Sequence, residues 1–308
     1  MSLLAMMQGG AQGAQEYGAA EAGGQPDLQG MLTHHLLDGN ELEVVTPFFS
    51  WHYELPHFDP IHLGPLTLDM SITKHVFFLL LAGIICLAIF VPIGAAMRKK
   101  YEKKAPSGFA NAVEAMVLYF RDEVVRRNIG HGADAYTGYI LTLFFFILFM
   151  NLLGLVPFGA TATGNFMVTG ALALVTFVVT EISGMRALGF QGYMGTIFYA
   201  PKGLNPVGTA IMLVILTPVE FLGKLTKPFA LMIRLFANMM AGHTLVLSLL
   251  GLIFMFAGGS AIITGGVTVA SLGMVSGIML LEVFVAFLQA YIFAMLTAVF
   301  IGLIRHAH

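Results

Sequence analysis

The stretch ALMIRLFANMMAGHT, residues 230–244, places one arginine inside sequence that is otherwise almost entirely apolar. The surrounding apolar run covers residues 207–256, which is about 75 Å of α-helix at about 1.5 Å per residue. A second run, residues 262–304, corresponds to about 64 Å, whereas the hydrocarbon core of a bilayer is about 30 Å thick. Each run is therefore a hairpin or one steeply tilted helix. Tilted helices are favoured, because residues 280–288 hold no Gly or Pro and the prolines of the first run lie off-centre.

The composition of the whole chain is that of a membrane protein. Its 308 residues are 57% hydrophobic and only 10% charged, whereas soluble domains carry roughly 25% charged residues. The net charge of −2 provides no basic surface for a nucleic acid. The single cysteine, Cys86, excludes a disulfide framework within the chain.

Three shorter spans and one surface helix are expected before the two long runs. The spans cover residues 75–97, 136–158 and about 166–185. Residues 107–129 combine apolar and charged positions at helical spacing, which predicts an amphipathic helix on the inner membrane surface. Residues 187–206, rich in Gly and Pro, are expected to form the next inner connection. The chain is thus predicted to be an all-α integral membrane protein with about five transmembrane helices, the last two long and steeply tilted.

The placement of charges predicts the orientation. Residues 1–73 hold nine acidic residues and no Lys or Arg, whereas the basic segment 98–104 follows the first span. The positive-inside rule places the N-terminus outside and, after five crossings, the C-terminus inside. Residues 1–70 are expected to be a flexible extramembrane segment on the outer side, and residues 71–308 the membrane domain. The five histidines of residues 31–74 have no compact metal-ligand spacing, so no metal site and no cofactor is expected.

The charged residues of the first long run share one helix face. Glu220, Lys224, Lys227, Arg234 and Asn238 are separated by steps that combine fours and threes. Glu220 can pair with Lys224, and this ion pair is the purely structural explanation of Glu220. Both lysines can extend their side chains to the inner membrane interface by snorkelling. Arg234 lies two turns deeper and faces only Asn238 on this face. Since a guanidinium does not release its proton in proteins, this permanent charge requires an explanation.

Three further polar residues belong to the two long runs. Glu282 and Gln289 are seven residues apart and lie near one face of the second run. Glu282 is expected at mid-depth of a tilted helix, where a carboxylate is stabilised by taking up a proton and so can carry one. His243 lies nine residues after Arg234, on the opposite side of the first long helix. The purely structural explanation of His243 is that it only packs between helices.

The remaining polar residues also have structural interpretations. Asn238 and Gln289 can simply form hydrogen bonds between helices. Arg234 can be half of an ion pair, for example with Glu282 or Glu181. The residue patterns alone do not decide between these structural roles and functional ones.

Three motifs, in order, resemble those of the subunit a family of F-type ATP synthases. They are NLLGLVP at residues 151–157, PVEFLGKLTKPFALMIRLFANMMAGH at 218–243 and LQAYIFAMLTAVFIG at 288–302. The resemblance extends over roughly residues 70–305.

The resemblance implies roles for residues near the arginine. Arg234 matches the essential stator arginine of the family, and Asn238 and Gln289 match the polar residues that flank it. Glu220 matches an acid of the inner aqueous half-channel. The family commonly has a small residue at the position of Lys224, which changes the local charge of that half-channel.

The resemblance also implies an outer half-channel lined by His243 and Glu282. Many family members have an acid at the position of His243 and a histidine at the position of Glu282. The two residue types are therefore exchanged in this chain. The pair still supplies one carboxylate and one imidazole, so a proton relay is expected if the side chains approach.

The implied function is that of a stator subunit, not a catalyst by itself, which conducts protons through two offset half-channels to and from the carboxylates of a c-ring. The expected partners are c-ring subunits, peripheral-stalk b subunits and the lipid bilayer, and the expected location is a bacterial inner membrane. An ion-coupled secondary transporter is the alternative, but it predicts inverted repeats that the sequence lacks. An intramembrane hydrolase would require an HExxH motif or a nucleophile–base pair, and the spans contain neither.

Overall fold

The computed structural model describes most of the chain after residue 70 and parts of the preceding segment. The described residues are 39, 41–46, 49–56, 58, 61–63, 66–68, 71–99, 107–156, 159, 161–198, 205–256 and 259–306. The flexible tail predicted over the first 30 residues lies outside the described residues.

Four short strands precede the membrane part. They are β1 (Glu41–Thr46), β2 (Phe49–Glu54), β3 (Ile61–Leu63) and β4 (Leu66–Leu68). β1 pairs with β2 and β3 with β4, both antiparallel, with Glu41 opposite Glu54 and Ile61 opposite Leu68. The sequence analysis predicted no strands here, although β1 and β2 are rich in the β-branched and aromatic residues that favour strands. The outer segment therefore contains two hairpins.

The membrane part is entirely helical among its described residues. Its elements are α1 (Lys74–Lys99), α2 (Phe109–Tyr119), a π-helical stretch (Phe120–Arg126), α3 (Arg127–Ile129), α4 (Asp134–Leu155), a 3-10 turn (Ala162–Gly164), α5 (Phe166–Ile197), α6 (Pro206–Met255) and α7 (Ala261–Arg305). Five of these helices, α1, α4, α5, α6 and α7, are long and apolar enough to cross a membrane. The predicted all-α membrane fold with five spans is confirmed.

The two long apolar runs form one continuous helix each. α6 has 50 residues and α7 has 45, so the hairpin alternative is wrong. Asn205 precedes Pro206 at the first position of α6, where the missing N–H of proline costs no helical hydrogen bond. Pro218 and Pro228 lie inside the helix without reversing it. Because each helix is far longer than the hydrocarbon core is thick, each has to cross a bilayer obliquely.

α5 extends beyond its predicted end, into the segment expected to be a connection. Asn165 caps its start, since the Asn165 side chain accepts a hydrogen bond of 2.8 Å from the backbone N–H of Met167. The helix breaks at Gly189, whose φ of 71° and ψ of 168° are a conformation open essentially to glycine alone. After this break the chain resumes helical structure as far as Ile197. The prediction that residues 187–206 form only a connection is therefore wrong for its first half.

The predicted amphipathic helix is present between Phe109 and Ile129, in three successive elements. The π-helical stretch turns both Val124 and Val125 into the interior, where each is at most 1% exposed. The ring of Phe120 packs against that of Phe144 in α4, with 4.4 Å between the centroids. The amphipathic helix is thus anchored to the transmembrane bundle by its C-terminal half.

Exposed charges cover the opposite side of this helix. Arg126 bridges Asp122 and Asp134, with nitrogen–oxygen distances of 3.0 and 2.9 Å. A hydrogen bond from Arg121, together with the nearby positive charge of Arg121 and Arg126, lowers the pKa of Asp122 below its usual range. These charges match the polar face that the sequence pattern predicts.

The core lies between α4 and α7. Ile140, Ile147 and Met150 of α4 are fully buried, and α7 contributes small residues that allow close helix packing, including Ala290 and Ala294. α6 packs on α5 and α7 but leaves about half of its described side chains exposed. The two long helices therefore share an interface, while one side of α6 has no cover from the described residues.

Candidate functional site

Arg234 lies on the uncovered side of α6. Its neighbours Leu231 and Leu235 are 2% and 1% exposed and face the bundle, whereas Arg234 itself is exposed. Among the described residues, Arg234 forms no hydrogen bond and no ion pair. The two acids considered as its partners, Glu282 and Glu181, are engaged with other residues. Within the described part of the chain Arg234 therefore has no ion-pair partner, and its guanidinium is available to a group from another chain.

The two polar residues expected beside Arg234 lie in different environments. Asn238, one turn further along α6, is exposed on the same face. Gln289 of α7 is buried, with 6% of its surface exposed. Within the described part of the chain, no hydrogen bond joins either side chain to Arg234. The structure therefore keeps Arg234 and Asn238 together on one surface, whereas Gln289 is buried in α7.

His243 and Glu282 approach each other across the interface of the long helices. Nδ1 of His243 lies 4.0 Å from Oε1 of Glu282, and neither atom has a hydrogen-bond partner among the described residues. Nε2 of His243 lies 3.0 Å from the carbonyl oxygen of Gly154 and 2.8 Å from Oγ1 of Thr161. Since a carbonyl oxygen only accepts, Nε2 carries the hydrogen in this arrangement. In the neutral ring, Nδ1 is then a free acceptor that faces the carboxyl group.

Gly242 makes this approach possible. A Cβ at this position would overlap Oε1 of Glu282 and lie 2.8 Å from its Cδ. The absence of a side chain therefore lets the carboxyl group of Glu282 rest against the backbone of α6. At 4.0 Å the two groups are just beyond hydrogen-bond distance. A small side-chain movement or one bridging water would connect them for proton transfer.

Asn151 supports the same region, although the sequence analysis quoted it only as part of a motif. It is fully buried, donates to the carbonyl oxygen of Ala286 over 3.4 Å and accepts from the hydroxyl of Thr163 over 2.7 Å. Thr163 belongs to the 3-10 turn that follows Thr161. Asn151 thereby fixes the loop that carries a hydrogen-bond partner of His243. Thr161 itself could not be identified from sequence, because only the folded loop brings it to the histidine.

The inner part of α6 is arranged differently from the prediction. Glu220 is exposed and forms no ion pair with Lys224 among the described residues. Instead, Nζ of Lys224 lies 3.4 Å from Oε2 of Glu181 in α5. The side chain of Lys224 is only 10% exposed, so the prediction that it reaches the interface by snorkelling is wrong. Lys227 remains exposed, 5.7 Å from the ring centroid of Phe300.

A cavity of about 220 Å³ lies between α5, α6 and α7 at this inner end. Its polar lining consists of Thr176, Thr180, Glu181, Thr196, Glu220, Lys224 and Lys227. No group of three or more His, Cys, Asp or Glu among the described residues is arranged to hold a metal ion. The described residues thus place a His–Glu pair, an exposed arginine and a cavity with several polar lining groups along α6 and the helices packed against it.

Comparison with known proteins identifies a family for the chain. The family model described as "ATP synthase A chain" matches residues 76–302. ATP synthase subunit a of Chloroherpeton thalassium is 44% identical over 270 residues, which cover 88% of this chain and 75% of that protein. ATP synthase subunit a of Chlorobium phaeobacteroides is 41% identical over 306 residues, which cover 98% and 83%. The protein of the same name from Anaeromyxobacter dehalogenans is 43% identical over 307 residues, which cover 95% and 76%.

Proposed function

The chain belongs to the ATP synthase A chain family, and from this premise we propose that it is the stator subunit that conducts protons to and from the c-ring of an F-type ATP synthase. The protons enter and leave through two offset half-channels, and their passage turns the ring and drives ATP synthesis. The chain does not itself catalyse the chemical step. It works in a bacterial inner membrane, next to the b subunits of the peripheral stalk.

The exposed Arg234 is the observation that carries this proposal. A permanent charge on the membrane-facing side of a helix is unfavourable unless another group neutralises it. A carboxylate on each passing c-ring subunit supplies that group: at 4 Å and an effective dielectric constant near 20, two unit charges attract by about 4 kcal/mol. This attraction holds an arriving ring carboxylate in its ionised form and so releases its proton. Asn238 lies on the same surface and contributes a polar contact.

The outer half-channel ends at the His243–Glu282 pair and the inner one at the cavity beside Glu220. Along α6, His243 is nine residues from Arg234, or about 14 Å, and Glu220 is fourteen residues away, or about 21 Å. The two routes therefore open on opposite sides of the arginine. Its fixed positive charge opposes the direct passage of a proton between them, so each proton has to travel on the ring. The buried amide of Gln289 in α7 is a further polar group of the proton path in this proposal.

The electrical driving force sets the scale of this transport. One elementary charge that crosses 100 mV releases about 2.3 kcal/mol, so several protons are required for each ATP. A direct leak past Arg234 would dissipate this free energy. The arginine therefore has two roles, to release the ring proton and to block the leak.

Replacement of Arg234 by Ala tests the proposal. Vesicles that contain the assembled complex are assayed for proton-driven ATP synthesis and for passive proton leak. We expect synthesis to be abolished, because no fixed charge ionises the arriving carboxylate, and the passive leak to be unchanged or higher. Arg127→Gln serves as a control, since Arg127 is 76% exposed and forms an ordinary surface pair with Glu123. Normal coupled synthesis by an assembled Arg234→Ala complex would refute the proposal.

Co-purification separates this function from the alternative of a secondary transporter. A stator subunit should be recovered with c-ring subunits after mild detergent extraction. A transporter should be recovered without them and should retain substrate-dependent ion flux.

A further inference from the structure

The mechanism above does not use a group of four polar side chains at the inner end of the bundle, all of them buried or partly buried. Lys224 is at its centre. Its Nζ lies 3.4 Å from Oε2 of Glu181 and 3.2 Å from Oγ1 of Thr196, and 4.4 Å from the centroid of the Tyr193 ring. An ammonium group has three N–H donors, and these three contacts occupy them.

The residues that contact Lys224 are also hydrogen-bonded to one another. The hydroxyl of Tyr193 donates a short hydrogen bond to the same Oε2 of Glu181. The hydroxyl of Thr196 accepts from Lys224 and donates to the backbone carbonyl of Tyr193 over 2.8 Å. Because each donor has an acceptor, the four residues form a closed hydrogen-bonded network, a type of arrangement that holds a single geometry.

Burial distinguishes this ion pair from the surface pairs of the chain. The side chains of Lys224 and Glu181 are 10% and 13% exposed, whereas those of Arg127 and Glu123 are 76% and 53% exposed. A buried charge without its partner is strongly destabilising, while a surface pair contributes little. Lys224 and Glu181 therefore depend on each other, in contrast to the surface charges.

The break at Gly189 explains how distant residues meet in this network. Glu181 lies before the break in α5, whereas Tyr193 and Thr196 lie after it. The chain changes direction at Gly189, and Tyr193 and Thr196 after it lie beside Lys224 of α6. The network thus connects two parts of α5 to α6.

The network forms one wall of the inner cavity. Glu181, Thr196 and Lys224 line the cavity together with Glu220. A space of about 220 Å³ with several polar groups in its wall has room for several waters. From α5 the charged group in the wall is Glu181, from α6 they are Glu220, Lys224 and Lys227, and α7 contributes only apolar residues.

We propose that Lys224 is a positioning residue of the inner half-channel, which holds Glu181 and Tyr193 in the wall of a water-filled cavity that conducts protons between the arginine and the inner solution. This inference rests on the proposed function and assigns a specific role to residues for which the family resemblance implies none. The proton moves along the cavity water. The paired carboxylate of Glu181 keeps the wall polar without itself holding the proton.

Single and double substitutions test this role in the assembled complex. The variants are Lys224→Met, Glu181→Gln and the combination of both. The measurement is proton conductance per assembled membrane sector after removal of the catalytic part of the complex, so that the ring turns freely. We expect Lys224→Met to lower conductance roughly tenfold, equivalent to about 1.4 kcal/mol, because Glu181 and Tyr193 are then no longer held in the cavity wall.

The double variant decides between positioning and simple stabilisation. We expect Glu181→Gln with Lys224→Met to restore most of the conductance, because no unpaired charge remains in the wall. Lys224→Arg should retain the pair and the conductance. The inference is overturned if Lys224→Met changes only the amount of assembled complex, or if the double variant conducts no better than Lys224→Met.

The experiments distinguish a failure of the inference about Lys224 from a failure of the proposed function. Normal conductance in Lys224→Met, with synthesis still abolished by Arg234→Ala, removes only the role of Lys224. Normal synthesis in Arg234→Ala removes the proposed function, whatever the result at Lys224. Arg127→Gln is again the matched control, since it breaks an ion pair that is exposed.

Discussion

At the scale of single residues, Gly242 determines how closely the side chains of His243 and Glu282 approach. Its missing side chain leaves the space that the carboxyl group of Glu282 occupies, next to His243. The sequence analysis identified both members of this pair, and the structure adds the distance between them, 4.0 Å. In the sequence, Gly242 is noticeable only as part of a motif. Its contribution is the space left by its missing side chain, and a residue pattern does not reveal such space.

Gly242→Ala is therefore expected to disturb the pair selectively. In a helix Ala is ordinarily about 1 kcal/mol more favourable than Gly, but here the new Cβ displaces the Glu282 carboxyl group. We expect at least a severalfold loss of ATP-driven proton pumping in vesicles with a normal amount of assembled complex. Gly223→Ala is the control on the same helix, since a Cβ there meets nothing within 4 Å. Equal pumping by both variants would show that the packing at Gly242 does not matter for proton transfer.

The ion pair of Glu181 with Lys224 shows a limit of residue patterns. The pairing expected from sequence was the local one, between Glu220 and Lys224, four residues apart. The actual partner is 43 residues away, and only the packing of α5 against α6 brings it close. Local spacing predicts contacts within one helix, whereas contacts between helices depend on how the helices pack.

At the scale of elements, the helices of the membrane part were largely predictable. Long apolar runs define spans by length alone, and the lack of turn residues at residues 280–288 correctly predicted one continuous helix rather than a hairpin. The end of α5 was not predictable in the same way. Glycines at residues 189, 192 and 195 indicated a connection, but the chain changes direction at only one of them.

Gly189→Ala tests the importance of that break. The backbone conformation at Gly189, with φ of 71°, is costly for any residue with a Cβ, by about 1–3 kcal/mol. We expect a lower thermal unfolding temperature of the purified complex and less assembled protein. The steric surroundings cannot explain such a loss, because a Cβ at Gly189 meets nothing within 4 Å.

Gly195→Ala is the control for this prediction. Gly195 lies in the same segment with equally open space and without a positive φ. Its replacement should be neutral or slightly stabilising. An equal loss of stability in both variants would mean that the segment, rather than the conformation of Gly189, is sensitive to substitution.

At the scale of the whole molecule, the charge distribution predicts how the chain is oriented in the membrane. Basic residues follow α1 and are absent from residues 1–73, and five helices can cross the membrane. We therefore expect a C-terminal tag to be accessible to protease in inside-out vesicles and protected in right-side-out vesicles. The reverse pattern would contradict both this orientation and the assignment of the cavity to the inner side. A tag in a known inner loop of another membrane protein provides the control for vesicle sidedness.

The uncovered side of α6 also has a consequence for the way the complex is built. A newly inserted copy without its neighbour exposes Arg234 to lipid, at a cost of about 2.5–3.5 kcal/mol on insertion scales. Such an orphan copy should be short-lived in the cell and should persist once the ring is present to receive it. Because its outer pair and inner cavity are about 34 Å apart along α6, the orphan also offers no continuous path for protons. Synthesis of this subunit ahead of its partners should therefore leave the membrane potential intact.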